Sequence, residues 1–278
     1  MTNPGLKLRR LGALGAEVSG SSRLDLLSDG EIKTLRSLWL EHLVLFFRDT
    51  DLEPERLLAF ARRFGEPMEY PLLAGLEGLA FVTEVIKHAH ETVNFGGVWH
   101  SDTSYLAEPP MATLLIARVL PPFGGDTLFS NGYLAYESLS AGLKRVLDGT
   151  SAVNTSALPA GSKTREDRLR EAAPGREPAV FLAEHPVVRT HPETGRKSLY
   201  VNPAHTLRFS DMTEEESAPI LNYLFAHQVK PEFTCRFSWT VGALAIWDNR
   251  CALHNPVNDY HGYERLMHRV TIKGDRPR

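Results

Sequence analysis

His100 and Asp102 stand one residue apart in the stretch VWHSDTSY, residues 98–105. An imidazole and a carboxylate at that spacing project to the same side of an extended strand, about 7 Å apart along it, so both can reach one metal ion. A third ligand type, His254, follows the strand-like ALAIWD and a polar turn, and Arg265, Met267 and Arg269 then alternate along RLMHRVTI. Alternation puts both guanidiniums on one face and leaves Leu266, His268, Val270 and Ile272 to pack on the other. Two imidazoles, one carboxylate and paired arginines describe a metal centre beside an anion clamp. Two histidines with one carboxylate are the facial ligand set of non-heme Fe(II) oxygenases, which keeps coordination positions open for substrates. The same ligands would serve a zinc-dependent hydrolase acting through a metal-bound water, and a non-catalytic jelly-roll binding protein is a third reading. Zinc hydrolysis gives the arginine pair no task, and a binder has no need of all three ligands.

Remote segments meet in this way most readily in a barrel or sandwich, and the rest of the chain reads as one. Ser28 and Glu31 have capping-box spacing, and Ile32, Leu35, Leu38 and Trp39 recur with helical period, which predicts a helix over 29–41. LVLFF reads as a buried strand, and PERLLAFARRFG as a helix with Pro54 in its first turn and Gly65 as a left-handed cap. From Ala80 onward short β-like runs dominate: AFVTEV, VWHSDTSY, MATLLIARVL and PPFGGDTLFS, the last with a PP and GG turn feeding a strand at 126–129. YLAYESLSAGLKRVL reads as one helix with Leu139, Leu143, Val146 and Leu147 on its apolar side. VVRT and SLYVN form a hairpin around HPETGRK, in which HPETG is a plain turn, and Thr213 with Glu216 opens another helix. FTCRFSW, ALAIWD and RLMHRVTI supply the last strands, with Trp99 and Trp247 as core aromatics beside the metal strands. Roughly eight to ten short strands without regular strand–helix alternation predict an α+β, predominantly β chain: a double-stranded β-helix (jelly roll, cupin-like) core flanked by helices. Residues 155–178 are charged, bear Pro and Gly and lack large apolar side chains, so they are expected to form a flexible exposed excursion from a single domain, 1–278.

Composition narrows the partners. Net charge is −3, with 42% hydrophobic and 23% charged residues, so a folded chain is expected with no general attraction to nucleic acid or acidic membranes. Leu43 to Phe47 is far too short to span a bilayer, and the first twenty residues lack the apolar core of a secretion signal. Cys235 and Cys251 form neither a CxxC nor a disulfide framework, which fits a reducing, cytoplasmic setting. Cys251 is read as packing, not as a thiolate ligand. The expected partner is a small organic anion, and the chain is expected to form a homo-oligomer. There is no internal repeat, GxGxxG or P-loop.

WHSDTSY, GGDTLFSNGYLAYESL and WDNRCALHNPVNDY…RLMHRVTIKGDRP resemble the taurine dioxygenase and herbicide-type α-ketoglutarate dioxygenase (TauD/TfdA) family. The resemblance runs from LGALGAEVSG to GDRP, and combines the HxD pair, Thr127 at 27 residues beyond His100, and H-x10-R-x3-R from His254 through Arg265 to Arg269. It implies that His100, Asp102 and His254 bind Fe(II). It also implies that Arg265 and Thr127 hold the far carboxylate of 2-oxoglutarate, a cosubstrate with O2, and that Arg269 holds the substrate's anionic group or a second edge of the cosubstrate. The implied reaction hydroxylates a small organic acid, with release of succinate and CO2 and with C–O or C–S cleavage where the hydroxylated carbon bears a heteroatom.

Taurine-cleaving members carry a His and, three residues on, a Tyr after the early FG, and an Asn before the WHxD. Aligned on Phe64-Gly65-Glu66 and Pro71, those places hold Tyr70 and Leu73. Gly96 falls at the third, with Asn94 two residues away as a substitute. A polar cradle built for an aminosulfonate is therefore depleted, since leucine cannot replace a hydrogen-bonding phenol. The substrate expected beside Tyr70, Leu73, Asn94 and Arg269 is a more apolar acid: an aryloxyalkanoate, an alkyl sulfonate or sulfate ester, or another carboxylate.

Overall fold

The computed structural model describes residues 6–20, 23–50, 52–71, 73–160 and 179–278. An eight-stranded sheet runs in the order β1 (Lys7–Arg10), β2 (Ala16–Ser19), β3 (Val44–Phe47), β14 (Leu244–Asp248), β6 (Ala112–Val119), β16 (Arg265–Ile272), β4 (Pro67–Met68), and β5 (Val82–Lys87) pairs with the remaining length of β16. Its pairings are antiparallel except β2 with β3. Across from it lies a three-stranded sheet, β13 (Thr234–Phe237), β7 (Thr127–Asn131), β15 (Ala252–Pro256). Alternation along each strand fills both faces of the large sheet. Phe46, Trp247 and Met267 point inward and pack with Phe129, Cys235 and Phe237 of the small sheet; Phe46 stacks on Phe237 at 4.1 Å between centroids. Leu45, Ile246, Val270 and Ile272 point outward against two helices, α1 (Asp29–His42) and α2 (Pro54–Arg62). The result is the expected jelly-roll core flanked by helices.

A third core joins α3 (Gly132–Glu137), α4 (Ala141–Leu147) and α5 (Glu214–Gln228) to a second three-stranded sheet, β12 (Thr206–Phe209), β8 (Ser151–Thr155), β9 (Leu182–Pro186). The hairpin β10 (Val188–Thr190) and β11 (Lys197–Leu199) completes it. Both capping boxes form: Ser28 and Thr213 accept from the N–H of Glu31 and Glu216, whose carboxylates accept in return.

Four local expectations are corrected. VWHSDTSY is not a strand beyond His100, which makes an isolated bridge to His254; the chain then turns, with Thr103 at φ +42°. YLAYESLSAGLKRVL is two helices, because the Ser140 side chain accepts from Leu143 N–H and starts a new one, and Val146 is 55% exposed. Gly65 is not a left-handed cap. The last turn of α2 closes through Arg63 and Phe64 N–H instead, and a Cβ at Gly65 would lie 2.7 Å from Ile272 Cγ2 and 2.9 Å from Met111 Cε. Trp99 is half-buried, whereas Trp247 is a core residue. Of the proposed excursion, residues 161–178 lie outside the described residues. No helix among the described residues is long and apolar enough to cross a membrane.

Candidate metal and anion site

Between the two sheets the bridge pairs His100 N–H with the His254 carbonyl at 2.9 Å and His254 N–H with the His100 carbonyl at 2.8 Å. This brings the two rings to 4.0 Å between centroids. The turn after His100 swings Asp102 back beneath them. Its Oδ1 is 3.7 Å from His100 Nε2 and 4.0 Å from His254 Nε2. All three side chains are buried, with ligand atoms within 4.8 Å of one another. Convergence thus comes from a bridge and a turn, not from strand alternation.

The surrounding groups orient His100 and Asp102 through hydrogen bonds. His100 Nδ1 lies 2.7 Å from the Val98 carbonyl oxygen, which places the hydrogen on Nδ1 and leaves the Nε2 lone pair facing Asp102. Thr113, on β6, donates to Asp102 Oδ2 at 2.6 Å and accepts from Asn249 Nδ2 at 2.9 Å. Trp247 in turn donates to Asn249 Oδ1 at 2.9 Å. One carboxylate oxygen is therefore fixed and the other turned to the imidazoles. Burial keeps both imidazoles neutral, the nearby Arg269 adding to the effect, and His254 falls to about 3. Burial also pushes the Asp102 carboxyl up, but His254, His100, Arg269 and the Thr113 hydrogen bond outweigh it and hold it at about 2. Neutral nitrogens beside an ionised carboxylate form the protonation state that binds a divalent cation.

In front of these groups lies a cavity, and Val85, Phe95, Leu115 and Pro256 form apolar parts of its wall. Arg265 and Arg269 line it from β16, 5% and 7% exposed, with Nε and Nη2 of each lacking a hydrogen-bond partner among the described residues. Burial lowers the Arg265 pKa, with Tyr260 and Asp126 opposing, yet a guanidinium stays charged. Two desolvated cations with idle donors call for anions. Thr127 also faces the cavity. Its Oγ1 accepts from the Trp239 indole N–H at 3.0 Å, which frees the hydroxyl hydrogen to donate elsewhere. Gly125 at φ +69° lets the GGD turn lie against Arg265, where a Cβ would meet Cδ at 3.3 Å.

The sequence-predicted substrate residues divide. Tyr70 lies under Arg269, whose guanidinium carbon is 4.2 Å from the ring centroid, and its hydroxyl is 3.4 Å from that of Tyr105. Leu73 is half-buried and is not part of the cavity wall. Asn94 is turned away: its Nδ2 donates to the Pro256 carbonyl at 3.2 Å and its Oδ1 accepts from Tyr260 at 2.7 Å. Gly96, at φ +67°, sits where a Cβ would come within 2.9 Å of the His100 ring, so no side chain replaces the missing Asn. Sequence reasoning missed Thr113, Trp239, Asn249 and Phe95. The alternation of Trp247 and Asn249 along WDN was the available signal for one of them.

A second buried cluster, His191, Asp248 and Cys251, also brings ligand types within 4.8 Å of one another. HPETG is more than a turn here, since Glu193 and Thr194 N–H both donate to His191 Nδ1 and the ring Nε2 meets Asp248 at 3.0 Å. Arg250 grips both Asp248 oxygens at 2.8 and 2.7 Å, and burial followed by Asp248 drives the Cys251 thiol pKa well up. The carboxylate and the imidazole of this cluster are thus already engaged, and the thiol keeps its proton.

A family model described as taurine catabolism dioxygenase TauD, TfdA family matches residues 7–271. The chain is 32% identical over 281 residues to the alkylsulfatase of Acinetobacter baylyi, covering 97% of this chain and 86% of that protein. It is likewise 32% identical over 271 residues to the alpha-ketoglutarate-dependent 2,4-dichlorophenoxyacetate dioxygenase of a Burkholderia species, at 91% and 89% coverage. The crystal structure of a taurine dioxygenase from Burkholderia xenovorans superimposes with a TM-score of 0.83 at 34% identity, over 99% of this chain and 91% of that one. The metal-ligand cluster, the arginine pair and the jelly-roll frame thus agree with an end-to-end match, and the chain belongs to the TauD/TfdA dioxygenase family.

Proposed function

We propose that this 2-oxoglutarate-dependent dioxygenase uses Fe(II), held by His100, Asp102 and His254, to hydroxylate a small, largely apolar organic anion, with release of succinate and CO2. The single observation that carries the reading is the pair of buried guanidiniums on β16, unpartnered among the described residues and facing the same cavity as the three ligands. The donor set suits iron: two neutral imidazoles and one carboxylate leave net positive charge on a divalent ion and open positions for a chelating keto acid. When bound, iron supplies the activation of O2 coupled to oxidative decarboxylation of the cosubstrate.

The chain's own residues do the remaining work. Arg265 offers a planar fork, and Thr127 a hydroxyl hydrogen aimed by Trp239, to the cosubstrate's far carboxylate. Arg269, held over the Tyr70 ring, is the anchor for the substrate's anionic head. Val85, Phe95 and Leu115 exclude water from the space where the target C–H must lie. Thr113 and Asn249 keep Asp102 from rotating out of the ligand position. A zinc hydrolase would leave both arginines and the aimed threonine without a task.

The relatives named for alkyl sulfate and dichlorophenoxyacetate chemistry support an apolar acid of this kind. Taurine suits the cavity poorly. With its sulfonate on Arg269 its ammonium would need an acceptor at the other end, where Asn94 is committed to Tyr260 and Pro256 and Leu73 offers none. Anaerobic addition of Fe(II) and 2-oxoglutarate is expected to give a weak visible charge-transfer band that His100→Ala abolishes. In air, alkyl sulfates and aryloxyacetates are expected to give succinate coupled to oxidised product. Faster coupled turnover of taurine than of every member of such a panel would reject the substrate assignment.

A further inference from the structure

β5 pairs with β16 so that Lys87 lies directly opposite Arg265, Val85 opposite Met267 and Thr83 opposite Arg269. Cross-strand partners share a face, so Lys87 points inward beside Arg265. It is 3% exposed, and its ammonium has no hydrogen-bond partner among the described residues. A small cavity beside the main one is lined by Lys87, Asn94 and Tyr260, and it shares Val85, Phe95, Pro256 and Arg265 with the main cavity. The ammonium rests 4.5 Å from the centroid of the Tyr260 ring, whose hydroxyl is held by Asn94. Neighbouring carboxylates are committed elsewhere: Asp126 to Arg236 and Ser238, Asp259 to Gly125 N–H and Arg236, Glu91 to the His88 N–H.

A buried, unpaired ammonium is among the least favourable groups a core can carry, and a methionine would fill the same volume without a charge. Its placement is explained by an anion that arrives from outside. We infer that Lys87 is a second cation for the far carboxylate of 2-oxoglutarate, flanking Arg265 across the β5–β16 pair. The inference rests on the cosubstrate reading given above. Arg265 supplies the two-pronged geometry, and Lys87 adds a point charge at the same end of the keto-diacid.

The test is anaerobic calorimetry of the Mn(II)-loaded protein with 2-oxoglutarate and with 2-oxobutanoate, which lacks the far carboxylate. Lys87→Met is expected to weaken 2-oxoglutarate roughly tenfold, the loss of one charge-assisted contact, and to leave 2-oxobutanoate unchanged, with Lys87→Arg restoring most of the loss. The ligand-free Lys87→Met protein should melt at or above the wild-type temperature, since the change removes a buried charge that has the Tyr260 ring but no described carboxylate as a partner. A 2-oxoglutarate affinity within twofold of wild type would overturn the inference. So would equal weakening of both keto acids, which marks Lys87 as a support for the Tyr260 wall. Failure of the wild-type metal-loaded protein to bind 2-oxoglutarate at all would instead bring down the cosubstrate reading together with this one.

Discussion

Among the described residues the chain buries two clusters of metal-ligand residue types, and only one of them keeps ligand atoms free for a site. His100, Asp102 and His254 on one side, and His191, Asp248 and Cys251 on the other, are alike in burial and spacing. They differ in what is already spoken for. Asp248 has both oxygens held by Arg250, His191 has one nitrogen saturated by backbone N–H groups and the other against Asp248, and the Cys251 sulfur stays a thiol. Asp102 has one oxygen pinned by Thr113 and the other facing the Nε2 atoms of His100 and His254, the first of them free of hydrogen. The second cluster is internally neutralised and joins the β10–β11 turn to β14. The first has unused lone pairs and two unpaired guanidiniums over it. Unmet chemical capacity, not residue type, distinguishes a binding site from a structural knot.

The sharpest way to break that contrast is to count metal. One divalent ion per chain is expected, lost in His100→Ala, with coupled succinate formation falling about 10³-fold or more, since several kcal/mol of transition-state stabilisation disappear with the ion. Two ions per chain, or loss of metal in Asp248→Asn, would show that the second cluster had been misjudged. In the opposite direction, Asp248→Asn is expected to lower stability by about 3 kcal/mol, because it removes the carboxylate that holds Arg250 through both oxygens and leaves Glu193 as its remaining carboxylate partner, and to leave metal content unchanged. Burial raises the Asp248 carboxyl, but Arg250 and the His191 hydrogen bond outweigh it and hold it well below its ordinary 3.8. A depressed carboxylate contributes stability that is fully present above that value and is lost as pH falls below it. Thermal melting followed from pH 6 down to 2.5 should therefore show a steeper acid limb in wild type than in Asp248→Asn.

How much of this contrast could be read from the chain depends on the range of the interaction. Arg265 and Arg269 were legible because a strand's two-residue period fixes the face of each side chain, and β16 keeps it despite the irregularity between Leu266 and Met267. The HxD pair was legible as chemistry but not as geometry, since the turn at Thr103, not a strand, makes it converge. The single helix expected over YLAYESLSAGLKRVL failed because Ser140 competes for the backbone as a cap, an effect that apolar spacing does not register. Trp239 on Thr127, Asn249 on Thr113 and His191 on Asp248 join segments 112, 136 and 57 residues apart, and no local pattern announces them. Lys87 reads as the wet face of a strand until β16 and the small cavity enclose it.

The support for Asp102 gives a prediction of intermediate size. Thr113→Val keeps the shape of β6 but removes the donor to Oδ2 and leaves Asn249 Nδ2 without its acceptor. Metal affinity is expected to drop about 10- to 100-fold, as for other residues that orient a ligand without touching the ion. Mn(II) titration measures this directly, and Thr113→Ser should recover most of the loss. Unchanged affinity in the valine variant would mean that the bridge between residues 100 and 254 positions the carboxylate unaided.

The smallest expected effect concerns how an unpaired donor is aimed. Trp239 gives its indole hydrogen to Thr127, so the threonine hydroxyl must turn its own hydrogen toward the cavity. Trp239→Phe preserves an aromatic face beside Arg265 and removes only that hydrogen, after which the hydroxyl can rotate or accept from solvent. Loss of one neutral hydrogen bond corresponds to roughly 0.5–1.5 kcal/mol, so 2-oxoglutarate should bind about two- to tenfold more weakly. Binding of 2-oxobutanoate, which ends before Thr127, should stay the same. Thr127→Val should weaken 2-oxoglutarate at least as much, and the double variant no more than Thr127→Val alone, because the tryptophan acts only through the threonine. Additive losses in that cycle would assign Trp239 an independent contact and remove the aiming argument.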